Sequence, residues 1–261
     1  MPTCLIQGHR GFSERYPENT MLGFRMALDA GAGALETDLR RTCDGGFVLC
    51  HDPALDRTTA GRGAIADLTW PEIAGLDASY AARFGSAFAG RADCTVPRLT
   101  DFLDELRGHP VYLVLHLKAL AGPDLDTLLE TITRRHMTPQ CHFFGPPAAI
   151  DRIKLLEPGC LTLNDGMPGP AQYRAVLGHA LARGHDAVSI NPNCSPDELR
   201  AMVDAIHAAG KLAHASYLAD DYARRTQELI DAGVDYILGN DPAAMVEVFR
   251  ANGLRQVAPG Q

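Results

Sequence analysis

A chain of 261 residues that is 46% hydrophobic and 21% charged carries enough apolar material for a real core, which argues against intrinsic disorder. Its net charge of −8 is spread along the chain, and no Lys/Arg block offers a footprint for nucleic acid or an anionic membrane. Seven cysteines, an odd number without a C-x-x-C pair, argue against a disulfide scaffold or a zinc-finger framework and read as buried small hydrophobes in a reducing compartment.

Met1 leads into an apolar run with no charged leader region or cleavage site, and no window approaches the ~20 apolar residues of a membrane span. A soluble, cytoplasmic protein without integral membrane association is the expectation. Short apolar runs then alternate with segments of helical period, the pattern of βα units building a parallel sheet. Strand candidates fall near 4–8, 34–39, 111–117, 141–144, 160–164, 186–190, 211–215 and 235–238. Eight such units in a chain of this length predict the α/β class, a TIM (β/α)8 barrel forming one domain over 1–251 with a frayed tail over 252–261.

Between the strands, Leu125, Leu128, Leu129 and Ile132 share one helical face, as do Leu199, Met202, Val203 and Ile206. The second helix opens with Ser195-Pro196-Asp197-Glu198, which combines a capping box with Pro at the first helical position, and Gly210 ends it. One stretch, about 52–98, breaks the alternation. It is too long for an ordinary βα loop and is expected to be an insertion roofing part of the active-site mouth, with a short helix at Thr69-Trp70-Pro71-Glu72.

Active sites of such barrels lie at the C-terminal ends of the strands, so the polar residues there are the ones to collect. The first strand ends in Gly8-His9-Arg10-Gly11; the second carries Glu36 and Asp38 on one face; His51-Asp52 closes the next apolar run; the third carries His116 and Lys118 on one face. Two carboxylates at i and i+2 in an apolar strand are costly to bury alone, and a hard divalent cation compensates them. The competing reading makes them solvated acids, or partners of Arg40 and Arg41. His9 and His51 can take and give a proton near neutral pH, while Arg10 and Lys118 can clamp phosphate oxygens. Their plainer readings are structural histidines and surface or ion-pairing cations.

The order and spacing of His9-Arg10-Gly11, Pro17-Glu18-Asn19-Thr20, Glu36-Thr37-Asp38, Thr42-Cys43-Asp44-Gly45, His51-Asp52 and Leu55-Asp56-Arg57-Thr58-Thr59 resemble the N-terminal signature of glycerophosphodiester phosphodiesterases. Val96-Pro97-Arg98-Leu99 and Gly233-Val234-Asp235 extend the resemblance across nearly the whole chain. It implies a barrel with an insertion after the second strand, metal on Glu36 and Asp38, acid–base catalysis by His9 and His51, and phosphate contacts from Arg10 and Lys118.

Two departures stand out. Where the family usually has Glu-x-Lys, with the Glu as a further metal ligand, this chain reads His116-Leu117-Lys118. His116 therefore joins the expected ligands, which are otherwise suited to Mg²⁺, Ca²⁺ or Mn²⁺, and its nitrogen admits Zn²⁺ or Co²⁺. Where the family has Trp-Thr-Val-Asn, this chain has Ser216-Tyr217-Leu218-Ala219, and its last strand closes in Gly239-Asn240-Asp241-Pro242. A reshaped pocket is expected, with Tyr217, Asn164 and Asn191 as its residues. The function expected is cleavage of a small-molecule glycerophosphodiester-like substrate to a phosphomonoester and an alcohol. The alternatives are action on a lysophospholipid or sugar phosphodiester, and a non-catalytic phosphodiester-binding barrel.

Overall fold

Apolar runs too short for a helix and rich in Leu, Val, Ile and Phe form the strands of a closed barrel, shown by a computed structural model that describes residues 4–218, 220–256 and 259. The strands are β1 (Leu5–Gly8), β2 (Ala34–Arg41), β3 (Phe47–Leu49), β4 (Tyr112–Leu117), β5 (Cys141–Gly145), β6 (Leu161–Asn164), β7 (Ala187–Ile190), β8 (Leu212–Tyr217) and β9 (Tyr236–Gly239). All but β3 are parallel, in the order β1-β2-β4-β5-β6-β7-β8-β9, and β9 returns to β1 to close the ring. β3 lies antiparallel on the outer part of β2, pairing Leu49 with Leu39. The expected (β/α)8 barrel is therefore formed, and each of the eight strand candidates becomes one of its staves.

Helices α1 (Met21–Asp29), α2 (Trp70–Ile73), α3 (Ala81–Phe84), α4 (Leu99–Leu106), α5 (Pro123–Thr133), α6 (Pro147–Leu156), α7 (Tyr173–Arg183), α8 (Pro196–Ala208), α9 (Tyr222–Ala232) and α10 (Pro242–Ala251) fill the connections. The apolar faces read from the sequence are the buried ones in α5 and α8. Ser195 accepts from the Glu198 amide while Glu198 reaches back to the Ser195 amide, which fixes where α8 starts. Outside the ring, two apolar clusters join strands to helices, one around Phe24, Phe102 and Phe143, the other around Ile6, Val203 and Ile237. Inside it, Leu5, Ala34, Val114, Phe144, Leu163 and Ala187 plug the barrel beneath the polar upper layer.

The long connection between β3 and α4 carries α2 and α3 and has its own small core of Leu55, Ile65, Ile73 and Val96 packed on Val48. Burying each of these aliphatic side chains contributes roughly 1.5–3 kcal/mol, enough to keep the insertion folded on the barrel. α3 had no sequence signal; its start is set by Tyr80 in the left-handed region at φ 52°. At the other end, the tail expected to fray from Asn252 is tied down as far as Gln256, whose Oε1 accepts from the Ile6 amide at 2.8 Å. No helix among the described residues is long and apolar enough to cross a membrane. All seven cysteines are unpaired and five are buried, in line with the reading of them as small hydrophobes.

Candidate active site

Register decides which polar residues meet. Asp38 pairs with His116 across the β2–β4 ladder and Glu36 with Val114, so Glu36, Asp38 and His116 all face into the barrel near its upper end. His116 Nδ1 lies 3.5 Å from Glu36 Oε1 and 3.3 Å from Asp38 Oδ1, and both carboxylates are 1% exposed. Arg40 and Arg41, the alternative partners, turn elsewhere: Arg40 donates to the His51 carbonyl and Arg41 pairs with Asp124.

The β1 end closes over this layer. Arg10 adopts φ 52°, a strained conformation for a residue with a side chain, and so aims its amide at Glu36 Oε2, 3.0 Å away. Gly11 follows at φ 86°, where a Cβ would come within 2.6 Å of the Gly23 backbone, so the loop can pass α1 only with glycine there. The Arg10 guanidinium lies 2.9 Å from Glu18 and 3.2 Å from Asp38. Asn19 donates to Asp38 Oδ2 at 2.9 Å, and Lys118 Nζ lies 3.4 Å from Asp38 Oδ1. Burial works against the Asp38 anion, but His116, Arg10 and Lys118 together hold its carboxyl well below the usual carboxylate range.

The two histidines are held in one tautomer each. His9 Nδ1 is 2.6 Å from Asn240 Oδ1, an oxygen that can only accept, so Nδ1 carries the proton and Nε2 is left free toward Glu36, 4.0 Å away. Burial, partly opposed by Glu36, pushes the His9 imidazole below its ordinary value and keeps it neutral. His51 Nδ1 sits 2.7 Å from Asp52 Oδ1, which likewise frees its Nε2. Arg57 holds Asp52 in turn, spans to Glu18 at 2.8 Å, and leads through Arg10 to Asp38. Arg57 and, to a smaller extent, His51 push the Asp52 carboxyl down to about 2 against its partial burial. One chain of ion pairs therefore ties the insertion's histidine to the barrel's carboxylates.

Of the residues read from the sequence, His9, Arg10, Glu36, Asp38, His116 and Lys118 converge directly, and His51 joins through the Asp52–Arg57–Glu18 chain. The pocket residues do not converge in the same way. Asn164 spends its amide inside the fold, accepting from the Ser189 amide at 3.1 Å and donating to the Gly166 carbonyl at 2.7 Å. Asn191 accepts from the Asn193 amide at 2.9 Å in a local turn. Tyr217, at the end of β8, gives its hydroxyl to the Asp220 carbonyl and lies beneath the Arg225 guanidinium; Ala219, the last of that altered run, is outside the described residues.

Sequence reasoning gave no role to Glu18, Asn19, Asp52 or Arg57, although all four stand in the quoted motifs. It treated Asn240 as an alteration, whereas that residue orients His9. Asp165 went unnoticed: its carboxylate lies 3.8 Å from His116 Nε2, and its only signal was its position just after a strand end. His214 is a core residue, bonded to Ser189 Oγ at 3.0 Å and pushed down to about 3 by burial and the nearby charge of His116.

The donor set fits a divalent cation. Glu36 Oε1 and Asp38 Oδ1 are buried oxygens without a hydrogen-bond partner, and they face the same point as His116 Nδ1. Burial opposes charge on His116, yet Asp165, Asp38 and Glu36 raise its imidazole to about 10, so ligation through Nδ1 requires that proton to leave. A cleft of about 460 Å3 reaches Lys118 from one side, lined by Arg40, Arg41, Pro53, Ile65 and Leu120.

Part of the chain is similar to known proteins of one kind. Residues 9–121 match the model of the glycerophosphoryl diester phosphodiesterase family. A glycerophosphodiester phosphodiesterase of Caldanaerobacter subterraneus is 42% identical over 110 residues, 42% of this chain and 43% of that one. Glycerophosphodiester phosphodiesterase 1 of Bos taurus is 36% identical over 120 residues, 46% of this chain and 35% of that one. The chain thus spans less than half the length of these curated relatives. Among solved structures, a glycerophosphodiester phosphodiesterase from Agrobacterium tumefaciens superposes with a TM-score of 0.79 at 25% identity, covering 94% of this chain and 100% of its own. A phosphodiesterase of Oleispira antarctica, solved with the product sn-glycerol-3-phosphate, shares the fold with a TM-score of 0.80 at 23% identity, covering 95% of this chain and 97% of its own.

Proposed function

We propose, from the match of residues 9–121 to the glycerophosphoryl diester phosphodiesterase family, that the chain is a divalent-metal-dependent phosphodiesterase of that family. It cleaves a glycerophosphodiester-like small molecule to a phosphomonoester and an alcohol. The observation that carries this reading is the pair of unpartnered buried oxygens, Glu36 Oε1 and Asp38 Oδ1, set beside a neutral His9 with its Nε2 free.

Glu36, Asp38 and His116 would hold the cation, which when bound supplies positive charge for the phosphoryl oxygens. His9 accepts the proton of the attacking hydroxyl at Nε2, and Asn240 keeps that tautomer in place. His51 delivers a proton from its Nε2 to the leaving alcohol, with Asp52 on Nδ1 stabilising the imidazolium that precedes the transfer. Arg10 and Lys118 would neutralise charge growing on the non-bridging oxygens. The nucleophile is water, or a vicinal hydroxyl of the substrate, in which case a cyclic phosphate forms first.

The test is hydrolysis of bis(p-nitrophenyl) phosphate by chelator-stripped protein, before and after adding Mg²⁺, Mn²⁺, Ca²⁺ or Zn²⁺. Turnover is expected only with a cation. Full turnover in chelator overturns the metal dependence, and folded, metal-supplied protein that cleaves no phosphodiester overturns the enzymatic reading in favour of a binding barrel.

A further inference from the structure

A second group of metal-ligating side chains lies on the flank of the barrel, separate from the catalytic layer: Asp151 of α6, His179 of α7 and His185 of the turn that leads into β7. The chain brings them together by a specific device. α7 stops at Gly184, which takes the left-handed conformation at φ 73° and folds the next residue back, so that the His185 amide donates to the Ala180 carbonyl at 2.9 Å. His185 thereby comes alongside His179, with ring centroids 5.4 Å apart, and both face α6.

All three ligand atoms point at one place. His179 Nε2 is 3.0 Å and His185 Nε2 2.7 Å from the same oxygen, Asp151 Oδ1. His185 is 1% exposed, and despite its closeness its buried Nε2 makes no hydrogen bond of acceptable geometry. A buried imidazole nitrogen aimed at a carboxylate without bonding to it leaves a polar atom unsatisfied, which burial makes costly. Arg183 lies 3.5 Å from the other oxygen, Asp151 Oδ2, which fixes the carboxylate and leaves Oδ1 for the shared point.

We propose that Asp151, His179 and His185 form a second divalent-metal site, of the Zn²⁺ class, that staples α6 to α7 and to the entry of β7. Two imidazoles and one carboxylate are a donor set that borderline transition ions accept and Ca²⁺ or Mg²⁺ do not. A fourth position is open to water, because Asp151 and His179 are partly exposed. The site precedes β7, at the end of the strand opposite to the catalytic residues, where barrels invest in stability. Its role is therefore structural.

The experiment compares untagged full-length wild type, Asp151→Asn, His179→Ala and the double variant Glu36→Gln/Asp38→Asn, all stripped with chelator and dialysed against Zn²⁺. Bound zinc is measured by elemental analysis and the Tm is followed with and without Zn²⁺. The double variant, disabled at the catalytic layer, is expected to retain a single equivalent and a Zn²⁺-dependent rise in Tm. Asp151→Asn and His179→Ala are each expected to lose one equivalent relative to wild type, together with that rise. His179 is 39% exposed on its side chain, so its truncation leaves the core intact. Equal zinc content in wild type, His179→Ala and Asp151→Asn overturns the proposal, as does a folded double variant that binds no zinc. If the double variant does not fold, the difference between wild type and His179→Ala decides alone.

Discussion

Asp38 and His116 face each other as ladder partners, and that adjacency makes the role of the imidazole beside the two carboxylates testable. If His116 ligates through Nδ1, the catalytic site has one nitrogen donor and ranks Mn²⁺, Co²⁺ or Zn²⁺ above Ca²⁺, and His116→Glu moves the ranking toward Ca²⁺ or Mg²⁺. Metal-dependence curves of the two proteins check this; an unchanged ranking makes His116 a cationic neighbour of the carboxylates and not a ligand. The histidines are assigned to proton transfer because each has its Nδ1 occupied and its Nε2 free. His9→Ala and His51→Ala should each reduce turnover by ~10²–10⁴-fold with folding intact, measured by steady-state kinetics and circular dichroism. Near-normal turnover in either variant reduces that histidine to a structural role.

At the scale of elements, the eight staves of the barrel were legible because each is a short apolar run bounded by a helix of visible period, and the α8 capping box is a purely local signal. Strand periodicity put Glu36 with Asp38, and His116 with Lys118, on one face each, while grouping them with His9 needed the barrel's closure at its strand ends. The network around Arg57 was not legible, since it joins residues 39 positions apart across the insertion and depends on where that insertion docks. Nor could sequence show that Asn164 is spent on Ser189 and Gly166, because side-chain orientation at a strand end is set by its neighbours. Arg57→Ala should detach His51 and Asp52 from Glu18. With the Arg57 side chain 34% exposed, solvent screening limits the expected loss to ~1–3 kcal/mol in stability. Turnover should fall by ~10–100-fold as His51 loosens. Urea midpoints and kcat measure the two, and a variant unchanged in both breaks the link between insertion and site. At the β8 end, Ser216, Tyr217 and Ala219 stand where the resembled family has Trp, Thr and Asn, which removes contacts that a small polyol would use, and Tyr217 itself is held by Asp220 and Arg225. Glycerophosphocholine should accordingly be a poorer substrate, in kcat/KM, than diesters with a larger head, and a substrate panel in which it ranks first contradicts this.

The whole barrel carries a cost of a different kind, since its interior contains histidines that must stay neutral. His142 packs between Tyr112 and Tyr236, with ring centroids 4.4 and 6.0 Å away, and burial, weakly opposed by Asp186, pushes it down to about 4. Its unfolded value is 6.5, so as pH falls below that value the unfolded chain takes up a proton that the folded chain refuses. Stability is then fully present above pH ~6.5 and declines toward pH ~4, by about 3 kcal/mol over the window at ~1.4 kcal/mol per unit. Carboxylates with lowered values act in the same sense but only further down: Asp52, held at about 2, stabilises the fold above its unfolded value of 3.8 and loses that contribution as pH falls from there toward 2. The decline between pH ~6.5 and ~4 is therefore dominated by buried imidazoles, and His142→Phe, which removes one titrating ring while filling the space between the tyrosines, should make it shallower while His214 supplies the rest. Urea midpoints of wild type and His142→Phe across that range make the comparison. Parallel curves would assign the acid sensitivity to other groups, His214 first among them, whereas a shallower slope in the variant identifies His142 as one of the residues that set the acid limit of the fold.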